Sequence, residues 1–400
     1  MRKIAVISAV PYGSTGRIAG QIAEYCQQQG DASYLFFSWS KSGHRSNCKN
    51  AFMGSFFDKA FHIVAARLTG LGGLFSVFDT YQMIRKLKKI KPDLINLHII
   101  HAWSFNIMML FDYIERENIP VVWTMHDCWA ITGHCAHFTI AKCERWKTGC
   151  HSCMQLNGYP YSKIDTTKFI WKVKKDTFTK VKNMTVVTPS QWAAKIMQQS
   201  FMNKYPIKVI YNGLNLDIFK PVQSEFRRKY DLVDRHIVLG VAFDWGYKKG
   251  LDVFVNLAHN LPESYKIVLV GLSDQQIKQL PESILGITKT ENVQELAEIY
   301  SSADVFVNAT REEMLGMVNI EALACGTPVI TFNTGGSPEC VNDACGIVVP
   351  CDNEEQLKDA IEYVCTSKVF SAEKCIACAE KFAAQAKHKE YYELFVRMIE

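Results

Sequence analysis

Residues 311–339, REEMLGMVNIEALACGTPVITFNTGGSPE, decide how this chain is read. Glu313 and Glu321 are separated by seven residues, with Gly316 between them. Met317, Val318, Ile320 and Leu323 have the spacing of a partly buried helix. Gly326, Thr327 and Pro328 stop it, the β-rich run Val329-Ile330-Thr331-Phe332 follows, and Gly335-Gly336 closes the stretch. A helix starting near Leu315 or Gly316 leaves free N–H groups and a positive dipole end at residues 315–318, which suits a phosphate. Glu321 would lie about 8–9 Å further along the axis, at ~1.5 Å per residue. There a carboxylate can accept both hydroxyls of a ribose. Glu313, placed before the helix, would face the other end of such a ligand. The pattern equally suits two solvated glutamates beside an ordinary core helix.

Outward from this stretch, the second half has an α/β rhythm. Strands are expected over 237–242, 266–270 and 305–308, with helices from Leu251 and over 294–301, 354–366 and 371–400. Lys248-Lys249-Gly250 precedes the helix at Leu251, and two ammonium groups there suit a diphosphate or make a plain surface pair. The first half repeats the rhythm. An apolar strand over 3–10 runs into Pro11-Tyr12-Gly13-Ser14-Thr15-Gly16 and a helix over 17–29, the opening of a Rossmann-like domain. Gly16 would let the backbone approach a ligand closely. The turn is not GxGxxG, so it does not indicate a dinucleotide. Helices are expected over 56–74 and 80–90. Strands over 93–98 and 120–125 carry His98, His101 and His126 at or just beyond their ends, where parallel sheets place their ligand crevice.

Four hundred residues suit two domains, here 1–212 and 213–400, with a cysteine-rich insert at about 128–153. With 48% hydrophobic and 21% charged residues the composition is that of a globular protein, and no apolar run spans a bilayer. The N-terminal run reads as a first strand rather than a signal peptide. The net charge of +5 divides unevenly: 27 Lys/Arg against 12 Asp/Glu through Asn212, and 18 against 28 beyond it. A basic half suggests contact with an anionic surface such as a membrane, and the basic amphipathic segment 166–182 is a candidate for it. Nucleic acid is not expected, because no RNA- or DNA-binding motif accompanies the charge. Fourteen cysteines without a secretion signal imply a reducing compartment. Cys135, Cys143, Cys150 and Cys153, spaced C-x7-C-x6-C-x2-C, suit a structural zinc, an iron–sulfur cluster or a loop of free thiols.

Together these residues resemble the retaining glycosyltransferases of family 4, across nearly the whole chain. The likeness is carried by GSTGRI (13–18), TMHDCW (124–129), VIYNGLNLDIF (209–219), KKGLDVF (248–254), EMLGMVNIEALACGTPVI (313–330) and TGGSPE (334–339). The stretch TGHCAHF followed by CERWKTGCHSC resembles a bacterial branch that builds capsule, exopolysaccharide or O-antigen chains. The resemblance implies the α/β GT-B fold, two facing Rossmann-like domains with parallel sheets and a cleft, the last helix packing back on the first domain. It implies donor-sugar contacts by Glu313 and ribose contacts by Glu321. Leu315, Gly316 and Met317 would offer amides to the diphosphate, Lys249 would neutralise the leaving phosphate, and Lys248 would assist. Gly16 would contact the donor, His126 would sit beside the sugar, and His98, His101 and Trp103 would meet the acceptor.

Leu315, Phe243 and Asn215 depart from the family's usual Phe, Arg and Asp. No DxD occurs, so no catalytic metal is expected. The implied reaction moves a hexose from a UDP- or GDP-sugar to a hydroxyl of a lipid-linked saccharide. It would take place in the cytoplasm, with peripheral contact at the inner face of the membrane. A non-catalytic nucleotide-sugar-binding scaffold and a GT-B UDP-sugar epimerase are the alternatives.

Overall fold

The computed structural model describes residues 1–39, 46–101 and 103–400. Its contacts divide the chain into two compact units, Met1–Tyr211 with Lys387–Glu400, and Asn212–Ala386. The first unit is built on a seven-stranded parallel sheet. Its strands are β1 (Lys3–Ser8), β2 (Ala32–Phe37), β3 (Lys49–Phe52), β4 (Leu94–Leu97), β5 (Val121–Thr124), β6 (Met184–Thr188) and β7 (Ile207–Val209). Their order is β3-β2-β1-β4-β5-β6-β7. β1, β4, β5 and β6 are apolar runs buried on both faces, as parallel strands covered by helices must be.

The second unit holds β8 (His236–Val241), β9 (Tyr265–Val270), β10 (Ile284–Ile287), β11 (Val305–Asn308), β12 (Val329–Phe332) and β13 (Gly346–Val349). Their order is β10-β9-β8-β11-β12-β13, again all parallel. Each sheet reverses its winding once, between β1 and β4 and between β8 and β11. The loops leaving the carboxyl ends of those strands diverge at the reversal and open a crevice there. Residues 9–16 and 98–101 flank it in the first unit, and residues 242–250 and 309–316 flank it in the second.

Several expected elements are refined. The helix expected over 56–74 ends at Thr69, where Gly70 turns left-handed (φ 74°) and its N–H caps Ala66. A second helix, Val77–Ile90, follows. Residues 371–400 form two helices, Ala372–Glu380 and Ala384–Ile399. The short strands β3, β10 and β13 had no recognisable alternation. The segment 166–182 does not present its aromatic residues on one free side: the helix Thr167–Phe178 buries Ile170, Lys174 and Phe178 and leaves Phe169 exposed.

The end of the chain is part of the first unit's core. Tyr391, Leu394 and Phe395 pack with Ile4, Val6, Leu35 and Leu94. Arg2 bonds both Asp31 and the Tyr392 hydroxyl, which pins the terminal helix beside β1. Phe395 is fully buried. Phe395→Ala is expected to cost about 3–5 kcal/mol through lost burial and the cavity left behind. Urea unfolding followed by tryptophan fluorescence would show the first transition at lower denaturant.

Candidate active site

The opening stretch folds as its pattern implies. β11 leads into a loop at 309–316, and Gly316, left-handed at φ 93°, is the N-cap of the eight-residue helix Met317–Ala324. A side chain at Gly316 would press on Asn319 and Ser337, so glycine keeps the loop close to the helix start. Leu315 is buried and Met317 is half-buried. Glu321 lies in the helix interior, 9% exposed, where the Tyr300 hydroxyl donates to its Oε2 at 3.0 Å. Gly335, left-handed at φ 55°, passes so close that a Cβ would stand 1.8 Å from the Glu313 carbonyl oxygen. The second glycine loop therefore lies directly against the first.

The structure brings Lys249 and Glu313 together: the ammonium donates to Oε2 at 2.8 Å, and Oε1 accepts from the Met314 N–H at 3.2 Å. Lys248 is paired instead with the buried Glu312 at 2.9 Å. Beneath both pairs lies Arg311, which sequence reasoning passed over. Its guanidinium, 7% exposed, makes two 2.8 Å bonds to Asp252 and one of 2.7 Å to Asp352. It also bonds the Tyr247 carbonyl and lies 3.8 Å from the Tyr247 ring centre. Burial alone would lower its pKa, but the Asp252 and Asp352 carboxylates raise it beyond the ordinary value. The Arg311 N–H donates to the Lys248 carbonyl at 2.9 Å, so this residue joins the lysine loop to the glutamate loop. Gly250 completes the junction, since a Cβ there would meet the Ala309 carbonyl oxygen at 2.4 Å. The only sequence signal was an arginine opening the motif, and its partners Asp252 and Asp352 lie 59 and 41 residues away. Phe243 is 97% exposed, outside this network.

In the first unit, polar groups beyond β4 and β5 line one cavity with His98, His101, His126, Asp127 and Trp129. Asn96 donates from Nδ2 to the Val122 carbonyl at 2.9 Å, which turns its Oδ1 toward His98 Nε2 at 2.7 Å. His98 therefore carries its proton on Nε2. Burial, reinforced by His126, holds its pKa well below the ordinary range, so it is neutral and its Nδ1 accepts. The donor across that 2.8 Å contact is His126 Nε2–H, which leaves the lone pair of His126 on Nδ1. Burial pushes His126 down to about 4, with Asp127 opposing the shift.

His101 Nε2 bonds Asp127 at 2.7 Å and its Nδ1 meets the Tyr159 hydroxyl at 3.2 Å. Burial would raise the Asp127 carboxyl, but His101 overcomes this and holds it down at about 2. Trp103 lines a neighbouring cavity, edge-on to Tyr159 at 5.6 Å. Asn96, Asp127 and Tyr159 were missed, because Asn96 bonds Val122 across 26 residues and His101 bonds Asp127 and Tyr159 across 26 and 58, which leaves no local pattern. Gly16 carries a packing constraint of its own. It lies within the helix Gly13–Gln28, and a Cβ would stand 2.6 Å from the Pro11 carbonyl carbon, so its glycine serves the packing of that helix on its own loop.

With this geometry in place, comparison with known proteins is direct. The family model described as Glycosyltransferase Family 4 matches residues 15–218, and that described as Glycosyl transferases group 1 matches residues 235–367. The chain belongs to glycosyltransferase family 4. Among curated relatives, the putative colanic acid biosynthesis glycosyl transferase WcaC of Escherichia coli is 23% identical over 365 residues, 88% of this chain and 87% of its own length. Among solved structures, sucrose-phosphate synthase of Thermosynechococcus elongatus aligns with a TM-score of 0.71 at 18% identity, covering 100% of this chain and 99% of that one. Anabaena HepE, solved in complex with UDP, aligns with a TM-score of 0.70 at 15% identity, covering 99% and 100%. At these identities the structural likeness is one of fold, and it is the GT-B fold.

The cysteine-rich insert lies within the residues that the family 4 model matches. Cys135, Cys143, Cys150 and Cys153 line a common cavity with Phe138, and Trp146 stacks on Phe138 at 4.8 Å. Among the described residues no group of three or more His, Cys, Asp or Glu side chains is placed to hold a metal. Gly133 N–H donates to Cys150 and Gln155 N–H to Cys153, while burial pushes Cys135 up to about 12 and Cys150 up to about 11. Lys174, fully buried beneath the insert, donates to the carbonyls of Trp129 and Thr132 and lies 3.4 Å from the Trp129 ring centre. Burial lowers it to about 7.

Two measurements test these networks. Removing Arg311 leaves Asp252 and Asp352 unpaired, and a fully buried pair broken in this way costs roughly 3–5 kcal/mol. Both aspartates keep contact with water, so Arg311→Ala is expected to cost about 2–3 kcal/mol, read as a lower Tm. His126 gives a pH dependence. The unfolded chain binds its proton near the ordinary 6.5, whereas the folded chain refuses it until about 4. Stability from this group is therefore complete above 6.5 and declines as pH falls toward 4. His126→Gln should flatten that part of a plot of urea midpoint against pH, and an unchanged slope would contradict the buried neutral imidazole.

Proposed function

We propose that this glycosyltransferase moves a hexose from a UDP- or GDP-sugar to a hydroxyl of a lipid-linked saccharide, with retention of anomeric configuration, in cell-surface polysaccharide synthesis. The observation that carries the reading is the Lys249–Glu313 pair at the start of the helix Met317–Ala324. It puts a cation, a helix N-terminus and a hydroxyl acceptor at one place. The name of the relative WcaC supports the polysaccharide setting, and the UDP complex of HepE supports a nucleotide donor.

In this reading the diphosphate lies against the amides of Leu315, Gly316 and Met317. Glu321 accepts the ribose hydroxyls, and Glu313 accepts hydroxyls of the sugar. Breaking the sugar–phosphate bond develops negative charge on the β-phosphate. Lys249, which has three N–H donors, and the helix dipole stabilise that charge most strongly in the transition state. Charge neutralisation by these groups makes a DxD-bound metal unnecessary. His126, with its lone pair on Nδ1, accepts a hydroxyl of the sugar, and His98 and His101 border the acceptor. Lys248, held by Glu312, adds positive field, and the acceptor proton leaves on the departing phosphate.

A structural zinc on Cys135, Cys143, Cys150 and Cys153 belongs to the same proposal. The four residues border one cavity, and the amide bonds to Cys150 and Cys153 are contacts that favour a thiolate. Metal analysis of purified protein is expected to give about one zinc per chain, as one tetrathiolate site requires; substoichiometric zinc and iron would overturn it.

The donor is identified by screening nucleotide-sugars against a lipid-linked saccharide extract, with products read by mass spectrometry. Against that donor, Glu313→Ala should lower kcat by roughly two to three orders of magnitude, the loss of one charge-assisted contact of about 2–4 kcal/mol. Near-normal transfer by this variant would refute the assigned role.

A further inference from the structure

The helix Phe56–Thr69 is inverted. Its face toward the protein carries Lys59, His62 and Ala66, while Phe57, Phe61, Val64 and Leu68 form a stripe on the outer face. These four are 82%, 62%, 56% and 48% exposed. Their spacing of i, i+4, i+7 and i+11 is that of one helical face, and the stripe runs for about 16 Å at ~1.5 Å per residue. Helices on a protein surface normally show the opposite arrangement, and a contiguous apolar stripe exposed to water marks an interaction surface.

The inversion is built in. Lys59 is buried because its ammonium donates to the Ser38 carbonyl and lies 4.6 Å from the Trp39 ring centre. His62 is fully buried, with Nδ1 at 2.6 Å from Ser76 Oγ and Nε2 accepting the Gly73 N–H. Burial lowers it to about 4, so it stays neutral. The inner polar residues are thus satisfied by the protein and hold the helix with its apolar side out.

The neighbouring helix extends the surface. Asp79 accepts the Ser55 N–H and Asp58 accepts the Asp79 N–H, so the starts of helices Phe56–Thr69 and Val77–Ile90 are tied side by side. Val77, Phe78 and Tyr81 are exposed at that start, and further along the same helix stand Arg85, Lys86, Lys88 and Lys89. Across residues 56–91 there are seven Lys/Arg and two Asp, and both aspartates are occupied with backbone N–H groups.

We propose that this paired-helix surface docks into an anionic lipid bilayer, with Phe57, Phe61, Val64, Leu68 and Phe78 entering the headgroup–acyl boundary. Arg85, Lys86, Lys88 and Lys89 meet the phosphates. The combination of apolar stripe and basic flank is what such an interface takes. A second copy fits less well, because a twofold contact over this surface would bring like charges together. The inference deepens the lipid-linked acceptor reading and rests on that reading only for its purpose. The docking surface lies on the segment 56–91, in place of the segment 166–182 that its basic residues suggested.

The test is flotation of the full-length protein with vesicles of phosphatidylcholine alone or mixed with phosphatidylglycerol. Binding is expected to the anionic vesicles and to weaken with added salt. Phe57→Ser with Phe61→Ser should weaken it by about tenfold or more, since two large apolar side chains lose their burial. Lys88→Glu with Lys89→Glu should do likewise. Val233→Ser, an exposed apolar residue of the second unit, should leave binding unchanged. Failure of the wild type to float, or floating of the Phe57/Phe61 variant as well as the wild type, overturns the proposal. Concentration-dependent dimers that this variant abolishes, without vesicle binding by the wild type, would assign the surface to a second copy and overturn it too. Transfer to a detergent-solubilised acceptor is measured in parallel and should be equal in all variants, which separates loss of docking from failure of the transferase reading.

Discussion

The second unit's candidate site depends on the Arg311 guanidinium. Three of its contacts go to carboxylates from outside its own loop, on Asp252 and Asp352, and a fourth goes to the Tyr247 carbonyl. Such a planar fork satisfies several acceptors at fixed angles, which a lysine ammonium on a flexible stem would not do. The consequence is positional. The loop after β8, which bears Lys248 and Lys249, cannot move independently of the loop after β11, which bears Glu313 and Gly316. Burying a charged group is unfavourable unless its partners compensate, so this network is a firm anchor only because every N–H direction used finds an oxygen.

The first unit reaches comparable rigidity through neutral groups. From the Val122 carbonyl through Asn96 and His98 to His126, each donor is assigned by the acceptor before it. The chain needs burial as well as geometry. If water reached His98, protonation would make its Nδ1 a donor and reverse the direction at His126. A parallel sheet supplies both conditions, because the adjacent ends of β4 and β5 bring these polar groups together while the sheet interior stays dry. Asp127, a carboxylate bonded to His101, stands next to an imidazole that burial keeps neutral.

The inverted helix Phe56–Thr69 shows the same physics on the outside. Lys59 and His62 take its inner face beside Ala66, each with its partners, so the residues of the stripe have no place inside. The stripe therefore cannot be read as displaced core. Hydrophobic spacing alone finds a helix and its apolar face correctly, but it cannot say whether that face points inward.

Much of the molecule was legible from the chain itself. Apolar runs with glycine turns and helical spacing determine two parallel α/β halves, since local periodicity and backbone freedom are properties of neighbouring residues. The helix start at Gly316, its flanking glutamates and Lys249 followed from the same local logic, and the motif order placed the chain in its family. Tertiary structure decided the partners. Lys249 meets Glu313 across 64 residues, Arg311 meets Asp252 across 59, and His98 meets His126 across 28. It also decided that Lys174 is buried, that the four thiols border one cavity, and that Phe57 and Phe61 face outward. Such outcomes depend on which loops the sheet order brings together, and no short-range pattern encodes that.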